Sequence, residues 1–194
     1  MFTEKYWAAI ELAKAHHVSS KTYSGKLMRP HAPFIKDLID KHGCKTLLDY
    51  GCGKGSQYTW VSHGGEASIP GGMTIVDYWN VDITLFDPAY EPFAEIPKGK
   101  FDIVIVTHAL GSIPITDLKA AIVQIYGYAN KAVYIAEKIG EVNKSVFNNL
   151  NGMPRFDRAQ WEKVLREVPH EGLEVVLSTR LKTENGVETI RRTL

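Results

Sequence analysis

The stretch Lys45-Thr-Leu-Leu-Asp-Tyr-Gly-Cys-Gly-Lys-Gly-Ser-Gln57 limits the possible folds more than any other part of the chain. Thr46 to Tyr50 reads as a buried strand running into a turn that carries Gly51, Gly53 and Gly55. Ser56 then caps a helix expected to reach about Ser62. A strand, a glycine turn and a helix in that order open a pocket at the carboxyl ends of the strands of an α/β sheet.

The glycine spacing sorts the ligands such a pocket can take. A phosphate loop of the G-x-x-x-x-G-K-[ST] type would need glycine where Leu48 stands, and Ser or Thr where Gly55 follows Lys54. The dinucleotide fingerprint G-x-G-x-x-G would need its third glycine at Ser56. What remains is acidic-x-G-x-G-x-G led by Asp49, a pattern that resembles the first motif of class I S-adenosylmethionine-dependent methyltransferases. In that family the ligand lacks a phosphate, so the glycines are expected to let the backbone pass close to a ribose and an amino-acid tail.

At 194 residues the chain suits one α/β domain, with residues 1–32 forming an N-terminal helix and lid and residues 33–194 the core. No apolar run approaches the roughly 18 residues of a membrane helix, and the start has no export-signal pattern, which implies the cytoplasm. With 23 basic and 22 acidic residues the net charge is +1, so nucleic acid is not favoured as a partner. Cys44 and Cys52 fit no metal or disulfide spacing and read as free buried thiols.

Helical periodicity covers residues 3–17, closed by His16 and His17 in an exposed or capping role, and returns from Pro33 to His42, stopped by Gly43. Between them, the segment from Ser19 to His31 is rich in turn formers and hydroxyls; Tyr23, Lys26 and His31 are either cleft contacts or parts of a plain surface loop. The glycine-rich insert from His63 to Gly72 reads as a mobile excursion near the pocket. A second strand spans Val81 to Phe86 and ends at Asp87-Pro88. Asp77 is a rival acid, but a strand ending there leaves too little chain for a crossover. The thirteen residues between Asp87 and Phe101 contain Pro88, Pro92 and Pro97, too little room for another strand and its helix, so the usual third strand is reduced or absent.

Phe101 to His108 reads as a central strand buried on both faces, followed by a helix from about Thr116 to Asn130 and a strand from Ala132 to Glu137. The polar segment from Lys138 to Phe156 offers Asn143, Asn148, Asn149 and Arg155 at a strand end, where acceptor-binding loops are expected. A helix capped by Asp157 precedes two strands around Asn185-Gly186, a strong signal for an antiparallel hairpin.

Leu47 to Gly55, Leu85-Phe-Asp-Pro88, Gly99-Lys-Phe-Asp102 and Ile113-Pro114 together resemble the compact methyltransferases carried by bacteriophages, over most of the chain. The resemblance implies a Rossmann-like, mainly parallel sheet with a C-terminal antiparallel hairpin, S-adenosylmethionine as cofactor and S-adenosylhomocysteine as product. It implies a small-molecule methyl acceptor and, for a phage-encoded protein, the host cytoplasm. Carried over by position, it places Asp49, Tyr50, Gly51, Gly53, Gly55, Gln57, Asp87, Pro88, Thr107, His108 and Leu110 at the cofactor, with Asp87 accepting both ribose hydroxyls. Acceptor contacts fall on Tyr23, Lys26, His31, Asn148 and Arg155. The relatives usually read D-x-L-E-H-I-P where this chain has His108-Ala-Leu-Gly-Ser-Ile-Pro114, so an acid and a histidine are replaced by Gly111 and Ser112.

Methyl transfer asks a protein mainly to align two reactants and exclude water. If the acceptor carries a proton, His108 at a strand end is the expected base, with a pKa near operating pH, and Glu137 the second; a bare contact role for His108 is the other reading. Asp87-Pro-Ala-Tyr90 approximates the D-P-P-Y motif of DNA amino-methyltransferases, which keeps a nucleic-acid enzyme as an alternative. A protein that binds or consumes the cofactor without methylating is a third. No metal-ligand spacing and no nucleophile elbow is present in the sequence.

Overall fold

The computed structural model describes residues 1–18, 23–64, 69–139, 152–183 and 186–194. Strands β1 (Thr46–Tyr50), β2 (Asp82–Phe86), β3 (Phe101–Thr107), β4 (Ala129–Lys138), β5 (Glu174–Thr183) and β6 (Gly186–Thr193) form one six-stranded sheet in the order β2-β1-β3-β4-β5-β6. The first five run parallel and β6 runs antiparallel to β5. Asn185, expected in the hairpin turn, lies outside the described residues. The link from β2 to β3 holds one 3-10 turn, Glu91–Phe93, and no strand, so β2 is a sheet edge.

Ile103 to Val106 are fully buried because β3 is covered on both faces. Alternate side chains go to opposite sides. Leu48, Val104, Val106, Val133 and Ile135 pack with helices α4 (Ile115–Tyr128) and α5 (Arg158–Arg166). Leu47, Ile103, Ile105, Ala132 and Tyr134 pack with α2 (Ala32–His42) and the short α3 (Ile75–Trp79). α2 stops where Gly43 turns left-handed, at φ 55°, and the Cys44 N–H closes on the Ile39 carbonyl at 2.9 Å. α5 starts on a reciprocal cap in which the Asp157 carboxylate accepts from the Gln160 N–H and the Gln160 side chain accepts from the Asp157 N–H, both at 2.8 Å.

Helix α1 (Glu4–His17) is held far from its neighbours in sequence. The Asp117 carboxylate, buried in the first turn of α4, accepts from the Thr3 N–H and the Thr3 hydroxyl, each at 2.6 Å. Asp117→Ala is expected to cost about 2 kcal/mol, by the loss of two hydrogen bonds to a charged acceptor. Faster amide exchange in α1, with β3 unchanged, is the reading that separates release of this helix from global unfolding.

Three expectations from the sequence need correction. Residues 56–62 form turns, not a helix, because Gln57 and Tyr58 are drawn under β1 by the Asp49 carboxylate and Val61 bridges to Thr74. The helix after β3 ends at Tyr128, and Asn130 already belongs to β4. Of the 63–72 insert, Ile69 is buried in the cluster that holds Trp79, and the Gly72 N–H donates to the Ser62 carbonyl at 2.8 Å, so its described flanks pack on the α3 side. Residues 65–68 lie outside the description. Asp77 is an exposed capping residue of α3, paired with Thr74. Cys44 and Cys52 are buried and unbridged.

Candidate functional site

At their carboxyl ends β2, β1, β3 and β4 deliver Asp87, Gly51, His108 and Lys138 in spatial order. Neighbouring strands lie about 4.8 Å apart, so these positions span roughly 14 Å. All four line one cavity of about 460 Å³, roofed by α1 and the segment from Tyr23 to Leu27. That volume lies within the usual few-hundred-Å³ range of small-molecule sites.

The β2 end is polar. Asp87 Oδ2 accepts from the Gly53 N–H at 2.8 Å and Oδ1 from the Ala89 N–H at 2.9 Å. A carboxylate has about four lone-pair sites, which leaves capacity for two more donors. Burial raises the Asp87 pKa, opposed by the Ala89 N–H, by His17 and by the Gly53 N–H. His17, expected at the surface, is only 9% exposed: its ring stacks between Tyr23 and Tyr90, with centroids at 4.6 and 5.0 Å, and Nε2 lies 3.9 Å from Asp87 Oδ1. Burial lowers its pKa. Two buried polar atoms on this wall, His17 Nδ1 and the Tyr23 hydroxyl, have no partner among the described residues.

The glycine turn is shaped by the chain itself. A Cβ on Gly53, at φ 61°, would sit 2.3 Å from the Tyr23 carbonyl oxygen, which accepts from the Lys54 N–H at 2.8 Å. A Cβ on Gly51 would meet Ala109, and one on Gly55 would press on Leu85 and Phe93. On its Cβ side each glycine is therefore faced by protein. Beneath the turn, Asp49 Oδ2 accepts from the Tyr58 hydroxyl at 2.8 Å and from Gln57 Nε2 at 3.1 Å. Complete burial lifts the Asp49 pKa to about 7 against those two bonds.

His108 follows β3 in a left-handed conformation, φ 58°, which costs a non-glycine residue about 1–2 kcal/mol. Its N–H donates to the Ala136 carbonyl at 2.7 Å, and both ring nitrogens are buried without partners among the described residues. Burial drives its pKa to about 3, with His31, Lys138 and Arg180 adding to the shift. The expectation of a base titrating near operating pH is therefore corrected: this imidazole is neutral and weakly basic. Glu137 Oε1 accepts from the Leu110 N–H at 2.8 Å and pins the turn after His108, while burial raises the Glu137 pKa to about 8.

Among the residues singled out from sequence, Tyr50, Gly51, Gly53, Asp87, Pro88, Thr107, His108, Tyr23 and Lys26 line the cavity. Asp49, Gly55, Gln57 and Leu110 form the layer behind it, and His31 sits behind His108, its Nδ1 at 2.9 Å from the Tyr134 hydroxyl. Arg155 is exposed and off the cavity wall, whereas Asn143, Asn148 and Asn149 lie outside the described residues. Sequence reasoning missed His17 and Trp161 as cavity residues. Two histidines closing a helix are ambiguous until the helix is docked, and a tryptophan on an amphipathic helix reads as core. No model of a known protein family matches the chain, and neither does any curated protein. Among the described helices, none is long and apolar enough to cross a membrane.

Proposed function

We propose that this protein binds S-adenosylmethionine at the β2/β1 end of the cavity and transfers its methyl group to a small molecule held at the other end. One observation carries the reading: the glycine turn after β1 and the acid after the adjacent parallel strand β2 close on the same cavity, joined by the Gly53–Asp87 hydrogen bond of 2.8 Å. The remaining lone pairs of Asp87 suit a ribose diol, and the unpartnered His17 Nδ1 and Tyr23 hydroxyl suit further polar groups of the same ligand. When bound, the cofactor supplies a methyl group on a positively charged sulfur. The chain's part is to align the two reactants beside His108 and to keep water out with α1.

The fold is compatible with a Rossmann-like α/β protein, and the site rather than the strand order carries the proposal, since β6 forms the outer edge of the sheet. A DNA amino-methyltransferase is disfavoured, because the Tyr90 ring that would stack on a flipped base is stacked on His17 and set edge-on to Phe93.

Calorimetric titration of S-adenosylmethionine and S-adenosylhomocysteine tests the proposal. The wild-type chain is expected to bind both, and Asp87→Asn to weaken both at least about 30-fold, from the loss of a charged acceptor. Binding of neither ligand by folded wild type sinks the reading.

A further inference from the structure

Beyond Asp87 and the glycine turn, the β3/β4 half of the cavity has a different chemistry. Ile10, Ile113, Pro154 and Trp161 wall it, and Ile113 and Trp161 are buried members of one apolar cluster on which Ile10 packs. Trp161 stands in the first turn of α5, where the Asp157 cap fixes the start of the helix, and Phe156 meets the indole edge-on at 5.1 Å. The indole is 1% exposed, and its N–H has no acceptor among the described residues. A buried donor left in that state costs about 1–3 kcal/mol, which a ligand oxygen would remove. Lys138 closes this end of the cavity from the last position of β4. Among the described residues, the one carboxyl lining this half, Glu137, is turned to the backbone of the turn after His108.

We infer that this half binds an apolar carboxylate, with the Trp161 indole N–H and the Lys138 ammonium as the donors to its oxygens. As the methyl acceptor, the ligand rests on the methyltransferase reading; as a bound anion it does not. The class of acceptor also answers a difficulty at the centre of the cavity. His108, with its pKa near 3, and Glu137, which keeps its proton below about 8, are both poorly suited to take a proton at neutral pH. A carboxylate needs no base. Its oxygen lone pair forms the new O–CH3 bond as the methyl–sulfur bond breaks with its electrons going to sulfur, giving a methyl ester and a neutral thioether with no proton released.

The test is calorimetric titration of 2-naphthoate, with 2-naphthylmethylamine as the cationic counterpart, run with and without S-adenosylhomocysteine. Wild type is expected to bind the carboxylate and not the amine, with Lys138→Ala and Trp161→Phe each weakening it about tenfold, the worth of one hydrogen bond to a charged group. Lys138 is exposed, so its variant keeps the fold even if the tryptophan variant does not. Failure of the carboxylate to bind, equal binding of the amine, or an affinity unchanged in Lys138→Ala overturns the inference. Binding of 2-naphthoate by a protein that takes neither S-adenosylmethionine nor S-adenosylhomocysteine upholds the anion site and overturns the methyltransferase reading.

Discussion

Gly53→Ala is expected to destabilise the protein by about 3–4 kcal/mol and to abolish the proposed binding of S-adenosylmethionine. Two costs add. The left-handed backbone at φ 61° strains any side chain by about 1–2 kcal/mol, and the new methyl would lie 2.3 Å from the Tyr23 carbonyl oxygen. That oxygen is backbone, so the clash is relieved only by moving the Tyr23 segment off the turn, with a packing cost of about 1–3 kcal/mol. The same movement breaks the Lys54–Tyr23 hydrogen bond and takes Tyr23 from the cavity wall. Gly43→Ala is the control, because Gly43 is also left-handed, at φ 55°, but has nothing within 4 Å of its Cβ position. It is expected to cost about 1 kcal/mol, from backbone strain alone. Equal losses in urea denaturation would show that Tyr23 does not press on the turn.

Raising the pH from 6.5 to 9 is expected to lower the unfolding free energy by about 3 kcal/mol, taking 1.36 kcal/mol per pKa unit. Burial lifts Asp49 from 3.8 to about 7 and Glu137 from 4.5 to about 8. The stability these carboxyls contribute is complete below about 4 and lost as pH rises through 7 and 8, since the folded chain holds protons that the unfolded chain has released. Burial acts oppositely on His31 and His108, lowered from 6.5 to about 4 and about 3. Their contribution is complete above 6.5 and lost as pH falls through those values. Between about 4.5 and 6.5 the opposing slopes of these four groups cancel; above 6.5 the two carboxyls lead the decline, and near pH 9 the buried Cys44 and Cys52 thiols, pushed up from 9.0 by desolvation, add to it. Denaturation across this range should trace a plateau and then a decline, which Glu137→Gln should flatten more than Asp49→Asn. A profile flat to pH 9 would mean that neither carboxyl is held protonated.

Both results would bear on the proposed chemistry. The alkaline decline reports the Glu137 carboxyl that holds the turn after His108, and Gly53 reports the contact between the turn and the Tyr23 backbone. A cavity whose central imidazole stays neutral suits an acceptor that brings its own lone pair, which joins the pH profile to the proposed carboxylate site walled by Trp161.

Much of this architecture was readable in one dimension. The strand before Gly51, the two-sided burial of β3, the Gly43 stop, the Asp157 cap and the hairpin signal are all encoded by residues within a few positions of one another, where backbone sterics and side-chain period act directly. So was the meeting of Asp87 with the glycine turn, because adjacent parallel strands must deliver their carboxyl ends side by side. The helix expected after Gly55 failed for the converse reason: Asp49 captures Gln57 and Tyr58, a tertiary bond that outweighs a weak local preference. His17 reached the cavity only through stacking with Tyr90, seventy-three positions away, and Trp161 only through the packing of α5 on α4. The low pKa of His108 likewise follows from burial, which residue type and position do not encode. Local sequence specifies the elements and their order, whereas desolvation and contact across the fold decide which side chains face the cavity and in what charge state.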